Sequence, residues 1–154
     1  GIPLAIAMPE LPVSLLEATG KKARYLAETV ETLGLQNVTV LNDRSESLGA
    51  PDGGGRGAWD VVTARAVGPM PVLLELSLPL LTEGGRLLAI KGRRAEEEIA
   101  SAAAALRTLR GRVELQHRTP TGTIVVVERT GSLPRGYPRR PGEPARSPIG
   151  VDTP

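Results

Sequence analysis

The chain has 154 residues, 40% of them hydrophobic, and a formal net charge of +2. Its length and apolar content suit one globular domain, and the absence of cysteine excludes disulfides, thiolate metal sites and cysteine nucleophiles. The charge is uneven, because ten acidic and six basic residues precede residue 84, whereas residues 84–146 hold thirteen basic and six acidic ones. The basic second half favours a polyanionic partner, most simply nucleic acid, over a merely solvated basic surface.

No apolar run approaches the ~20 residues that span a bilayer, and there is no signal-peptide pattern. We therefore expect a cytoplasmic protein with no membrane partner. No metal-ligand spacing is present either, and the single histidine, His117, is expected at the surface of an edge strand. We expect no metal site.

The first half of the chain predicts alternating helices and strands. Apolar periodicity and glycine stops place helices at 2–8 and 19–33, strands at 13–17, 37–41 and 59–64, and a polar, glycine-rich loop at 42–57. The strands at 13–17 and 59–64 are mostly apolar, which predicts that they are buried.

The second half continues the alternation of helices and strands and then ends in two consecutive strands. It predicts a helix at 69–82 with Pro79 near its end, a strand at 86–91, a helix at 95–109 and two closing strands at 112–118 and 121–129. Repeated strand–helix units imply an α/β, Rossmann-like, mostly parallel sheet, and the closing pair implies an antiparallel hairpin at its edge. We expect residues 1–130 to form this domain and residues 131–154 to form a proline- and arginine-rich tail without helix or central strand.

Candidate site residues follow the ends of the predicted strands, where open α/β sheets bind ligands. Glu17 ends the strand at 13–17, which we take as the second strand of a doubly wound sheet. An acid at the tip of that strand suits the two hydroxyls of a ribose, and a solvated strand end is the alternative. Ser45 and Glu46 follow the next strand, where they suit an adenine edge or form an ordinary polar loop. Arg65 follows the strand at 59–64 as a site candidate or a surface arginine.

Three cations lie at or just beyond the end of the strand at 86–91, namely Lys91, Arg93 and Arg94. A cluster of this kind suits phosphate groups, and a helix-flanking charge cluster is the alternative. Further cations, including Arg139 and Arg140, lie in the tail. We expect the tail to lie partly along the surface and to extend a basic stripe that faces RNA.

Several segments together resemble one known family. They are GIPLAIA at 1–7, LLEATGKKARYL at 15–26, LGLQNV at 33–38, DRSE at 43–46, WDVVTARAV at 59–67, GGRLLAIKG at 84–92 and YPRRPG at 137–142. The chain resembles the bacterial 16S ribosomal RNA guanine-N7 methyltransferases of the glucose-inhibited-division B type over essentially residues 1–149, and least in the glycine-rich loop at 53–55.

The resemblance implies S-adenosylmethionine as methyl donor and one guanine of 16S ribosomal RNA, or of the small ribosomal subunit, as acceptor. It also implies a class I methyltransferase fold, with cofactor contacts carried over to Glu17, Ser45, Glu46 and Arg65. RNA contacts are expected at Lys91, Arg93, Arg94, Arg139 and Arg140. No residue is expected to act as a general acid or base, and we expect a monomer.

The glycine-rich pattern of the family would end at Gly1, so we expect the first strand and most of the cofactor loop to be missing and the chain by itself to be inactive. Two other functions stay open at this point. One is a non-enzymatic RNA-binding module, which the basic second half would serve. The other, ranked last, is a nicotinamide-dependent oxidoreductase, which would also place an acid at Glu17.

Overall fold

A computed structural model describes residues 1–151 and contains helices and strands in alternation. The elements are α1 (Ile2–Ala7), β1 (Val13–Leu16), α2 (Gly20–Thr32), β2 (Val38–Leu41), α3 (Ser45–Leu48), β3 (Trp59–Arg65), α4 (Met70–Ser77), β4 (Leu81–Lys91), α5 (Ala95–Ser101), α6 (Ala103–Thr108), β5 (Gly111–Thr119), β6 (Gly122–Arg129) and α7 (Glu143–Arg146). A short 3₁₀ turn, Leu78–Leu80, joins α4 to β4. The chain divides into two compact units, Gly1–Ser45 and Glu46–Pro154.

The first unit pairs β1 and β2 in parallel, with Leu16 opposite Leu41. The side chain of Asn37 connects this pair to α1, because its amide donates to the carbonyls of Ala5, Met8 and Leu11 at 3.1, 3.2 and 2.9 Å. Ala5 belongs to the last turn of α1, where backbone carbonyls lack partners within the helix, and the Met8 carbonyl also accepts the Leu11 N–H at 3.1 Å. Asn37 therefore fixes the loop that leads into β1.

The second unit contains a four-stranded sheet in the order β3-β4-β6-β5. β3 and β4 are parallel, whereas β4–β6 and β5–β6 are antiparallel. The α/β class and the antiparallel closing hairpin are thus confirmed. Of the three strand pairs in this four-stranded sheet one is parallel and two are antiparallel, so the sheet is mixed.

The core of the second unit lies between one face of this sheet and helices α4, α5 and α6. Alternate residues of β4 and β6 point into it, and Leu87, Ala89, Val125 and Val127 are all fully buried. Each fully buried large side chain of this kind stabilises the fold by about 1.5–3 kcal/mol. The strand β3 was predicted to be buried, but it is only partly covered, and Val61 is 51% exposed.

Four predicted elements differ from the structure. The helix predicted at 95–109 is divided at Ala102, a fully buried residue whose N–H donates to the carbonyl of Ile99. The polar loop at 42–57 contains the short helix α3, and the tail contains α7. The helix predicted at 69–82 is also shorter, because α4 ends at Ser77 before Pro79, which cannot continue the hydrogen bonding of a helix, and β4 begins at Leu81.

The described part of the tail packs within the second unit. Leu133 is 8% exposed, and Tyr137 and Ile149 pack against the core cluster. The guanidinium of Arg56 donates to the carbonyls of Gly49 and Tyr137 at 2.9 and 2.6 Å, which joins the α3–β3 loop to the tail. The division at residue 130 stays a prediction, and residues 152–154 lie outside the described part.

Candidate functional site

Glu17 lies directly after β1, where both its backbone and its side chain are held. Its N–H donates to the Leu41 carbonyl at 3.0 Å, and its own carbonyl accepts the Asn42 side-chain amide at 2.9 Å. Its carboxylate Oε1 accepts the backbone N–H of Thr19 at 2.8 Å. This hydrogen bond lowers the pKa of Glu17 below its ordinary value. An oriented carboxylate therefore stands at the carboxyl end of a parallel strand pair.

Ser45 and Glu46 begin α3. Glu46 is 8% exposed, and its carboxylate Oε1 accepts the backbone N–H of Gly142 at 2.8 Å. This hydrogen bond helps to hold the tail in place, and the carboxylate is nearly buried, which favours the backbone of Glu46 for a contact to an adenine edge. Ser45 is half-buried.

Arg65 is the last residue of β3 and pairs in register with Ile90 of β4. Its side chain is exposed, and among residues 1–151 no carboxylate forms an ion pair with it. The next residue, Ala66, has a φ of +56°, a left-handed conformation that costs a non-glycine residue roughly 1–2 kcal/mol. Backbone strain of this kind clusters at functional sites, which supports the end of β3 as part of a binding site.

An open cleft of about 510 Å³ lies beyond the carboxyl ends of β3 and β4, beside the turn of the β5–β6 hairpin. We call it the strand-end cleft, and its lining includes Arg65, Gly68, Ile90, Lys91, Glu98 and Thr121. A larger depression, about 640 Å³, lies at the opposite end of the sheet beside Glu83 and Arg129. The strand-end cleft is the better candidate, because open α/β sheets bind ligands at the carboxyl ends of their parallel strands.

Lys91 belongs to the wall of this cleft and not to its outer rim. Its side chain is 8% exposed, and Nζ lies 2.8 Å from Glu98 Oε2 and donates to the Gly68 carbonyl at 2.7 Å. The sequence-based expectation of a phosphate contact at Lys91 is therefore corrected, since its ammonium group is nearly buried and already paired. Arg93 and Arg94 follow Lys91 and are exposed, and their RNA contact stays a prediction.

Arg139 was expected on an RNA-facing surface, but its side chain contacts a buried carboxylate instead. Its Nη2 and Nε donate to Glu75 Oε2 and Oε1 at 2.6 and 2.9 Å, and its backbone N–H donates to Oε1 at 2.8 Å. Glu75 is fully buried on α4, so Arg139 neutralises a carboxylate of the core. The hydrogen bond to Glu75 raises the pKa of Arg139. We do not retain Arg139 as an RNA contact, whereas Arg140 is exposed and remains a candidate.

Two partners of these cations were not recognised in the sequence. Glu98 was interpreted as one of three acids at the start of a helix. It lies just across the short turn that joins β4 to α5, and this turn brings its side chain to that of Lys91. Glu75 is a lone acid in an otherwise apolar helix, and that pattern indicates a buried charge with a partner. The partner is 64 residues away, and no local pattern identifies it.

Other kinds of site find no support in the described part of the chain. No cluster of three or more potential metal ligands occurs among residues 1–151. His117 is exposed on β5, as predicted. Within the same range, no helix is both long and apolar enough to cross a bilayer.

Comparison with known proteins gives a consistent result. The family described as rRNA small subunit methyltransferase G matches residues 1–123. Two relatives named ribosomal RNA small subunit methyltransferase G, from Sorangium cellulosum and Chloroflexus aggregans, are 46% and 45% identical over 91% and 96% of this chain. The chain covers 58% and 64% of their lengths, so it spans about three-fifths of the curated relatives that it matches.

Solved structures share the fold at low identity. A crystal structure of M. jannaschii TYW2 in complex with AdoMet aligns with a TM-score of 0.61 at 17% identity, over 83% of this chain and 63% of that one. The crystal structure of an rRNA methylase from Streptococcus thermophilus aligns with a TM-score of 0.54 at 17% identity, over 80% and 78% of the two chains. The fold is therefore the Rossmann-like fold of class I methyltransferases.

Proposed function

Because the chain belongs to the rRNA small subunit methyltransferase G family, we propose that this protein transfers a methyl group from S-adenosylmethionine to N7 of a guanine in 16S ribosomal RNA. The observation that carries the proposal is the family match, which runs from Gly1 to Thr123, at the start of β6, and includes the strand-end segments described above but not the tail. The proposed methyl transfer takes place in the cytoplasm, where bacterial ribosomal RNA is made.

The residues at the strand ends fit the cofactor in their chemistry. Glu17 offers a carboxylate whose lowered pKa keeps it ionised at neutral pH, which suits the two ribose hydroxyls as donors. Arg65 offers a guanidinium with no ion-pair partner in the described chain, which suits a carboxylate such as that of the methionine part. The half-buried Ser45 and the backbone of Glu46 are the proposed contacts for the adenine edge.

When bound, S-adenosylmethionine supplies a methyl group already activated on a sulfonium. Guanine N7 carries a free lone pair and loses no proton on methylation, so no residue has to act as a general base. The task of the chain is to hold the acceptor in line with the methyl group and to exclude water. Such positioning can lower the barrier by roughly 7–11 kcal/mol.

Exposed cations of the second unit would attract the RNA. Arg93 and Arg94 lie in the turn after β4, and Arg140 lies in the tail. Cations contribute most of the sequence-independent affinity for nucleic acid, because each one that meets a phosphate releases a counterion. These three arginines are the proposed phosphate contacts.

The test uses the complete gene product that contains this chain. Calorimetric titration with S-adenosylmethionine and with NAD is followed by incubation with methyl-labelled S-adenosylmethionine and small ribosomal subunits lacking the modification. We expect binding of S-adenosylmethionine only, and label in 16S RNA as N7-methylguanine. Binding of NAD in its place would favour the oxidoreductase, and RNA binding without label would favour the non-enzymatic module.

A further inference from the structure

One side chain in the strand-end cleft is held in place yet keeps hydrogen-bonding capacity for a ligand. Glu98 Oε2 accepts both the ammonium of Lys91, at 2.8 Å, and the backbone N–H of Met70, at 3.1 Å. Lys91 is in turn fixed by the Gly68 carbonyl at 2.7 Å. These contacts from three different segments determine the orientation of the carboxylate.

The second oxygen of the same carboxylate is available. Within residues 1–151 no group donates to Glu98 Oε1, and the side chain is 29% exposed where it lines the cleft. An ionised carboxylate oxygen has two lone-pair sites for hydrogen bonds. The cleft therefore offers an oriented acceptor to a ligand that carries N–H donors.

The charge of Glu98 does not make the cleft repel RNA. Lys91 neutralises it at 2.8 Å. The Lys91–Glu98 pair can therefore accept hydrogen bonds while it carries no net negative charge. The volume of about 510 Å³ lies within the roughly 300–1,000 Å³ typical of sites for small molecules, which is enough for an unstacked base with its sugar.

Guanine is the base whose chemistry matches this acceptor. Its Watson–Crick edge carries two adjacent donors, N1–H and the exocyclic N2 amino group, whereas adenine has an acceptor at N1. Enzymes that modify an unstacked base commonly read it by hydrogen bonds to this edge. N7 lies on the opposite side of the purine, so a base held at N1 and N2 leaves its reacting nitrogen uncovered.

We propose that the strand-end cleft receives the target guanine and that Glu98 is its specificity-determining residue, accepting hydrogen bonds from N1–H and the N2 amino group. Lys91 is then a positioning residue, which orients Glu98 and balances its charge. This inference rests on the proposed function, because it assumes that guanine is the acceptor.

The test compares two RNA substrates that differ in one atom group, using the complete gene product. One has guanosine at the target position, and the other has inosine, which lacks only the N2 amino group and keeps N7. kcat/KM for methyl transfer is measured for the wild type, for Glu98→Gln, and for Glu97→Gln as a matched control on the same helix, exposed and outside the cleft lining.

We expect inosine to lower kcat/KM of the wild type and of Glu97→Gln by about 10- to 100-fold, the range for a hydrogen bond to a charged group. Glu98→Gln should lose a similar factor on guanosine and show little further loss on inosine, with its affinity for S-adenosylmethionine unchanged. Gln retains an acceptor for Met70 and Lys91 but presents a donor to the base.

An equal inosine penalty in the wild type and Glu98→Gln would overturn the inference. So would the absence of a penalty in the wild type, a result that does not depend on whether the variant folds. In both cases methylation of the guanosine substrate would still stand, and only the role of Glu98 would fall. Failure of the wild type to methylate guanosine RNA would instead overturn the proposed function, and this inference with it.

Discussion

Arg65 gives the cleanest residue-scale test of the cofactor site, because its side chain is exposed and has no ion-pair partner in the described chain. Arg65→Ala should weaken binding of S-adenosylmethionine by about 1.5–3 kcal/mol, the value of a hydrogen bond to a charged group. The melting temperature without ligand should stay nearly unchanged. Calorimetry and thermal melting measure the two effects, with Arg107→Ala on the exposed side of α6 as control. A fall in unliganded melting with affinity retained would make Arg65 structural.

Glu17 leads to a prediction about pH. Its folded pKa is depressed below the ordinary value of 4.5 by the Thr19 N–H, so the ionised carboxylate stabilises the fold above that value. This stabilisation is lost as the pH falls through the lowered folded pKa. Urea unfolding should therefore show Glu17→Gln less stable than the wild type at neutral pH, with the difference shrinking once the pH falls below about 4.5.

The exposed Glu10→Gln change serves as a control for the general effect of removing one negative charge. A difference between the wild type and Glu17→Gln that widens toward acid pH would contradict the assigned hydrogen bond. Glu17→Ala is a poorer variant for cofactor studies, because it also removes the acceptor for the Thr19 N–H at the start of α2.

At the scale of elements, the tail is joined to α4 by the pair of Arg139 and Glu75. Arg139→Ala would leave the carboxylate of Glu75, which is fully buried, without its counter-charge. Loss of one partner of a buried pair costs about 3–5 kcal/mol, so the free energy of unfolding should fall by that order. Arg140→Ala, next in the chain and exposed, should change it by less than about 0.5 kcal/mol.

Chemical denaturation monitored by circular dichroism measures both variants. Arg139→Lys should recover only part of the loss, because an ammonium cannot reproduce the two-pronged contact of a guanidinium. Equal, small effects of Arg139→Ala and Arg140→Ala would show that the Arg139–Glu75 pair adds little to stability, and would reopen Arg139 as an RNA contact.

The turn between β4 and α5 carries the prediction for RNA. Each cation that neutralises a phosphate adds roughly 0.7–0.9 to the slope of log affinity against log salt concentration. Arg93→Ala with Arg94→Ala should therefore weaken binding to the small subunit RNA and flatten this slope by about 1.4–1.8, with S-adenosylmethionine affinity unchanged. Filter binding at several salt concentrations measures it, and an unaltered slope would show that these charges do not meet phosphate.

Across the whole molecule, the order of strands and helices and the closing hairpin could be predicted, because local hydrophobic periodicity and turn residues determine them. The position of Glu17 and Arg65 at strand ends could be predicted for the same reason. The roles of Lys91 and Arg139 could not, because they depend on Glu98 and on Glu75, which folding brings to them. The break at Ala102 also escaped, since tertiary packing overrides the helix preference of an alanine-rich run.

Mass spectrometry of 16S ribosomal RNA is the decisive measurement for the proposed methylation of a guanine at N7. RNA is prepared from cells with the gene, from cells without it, and from deleted cells that carry the complete wild-type gene or its Arg65→Ala variant. We expect one N7-methylguanine to disappear on deletion, to return with the wild type and to return only weakly with Arg65→Ala. An unchanged set of methylated guanines after deletion would contradict the proposal.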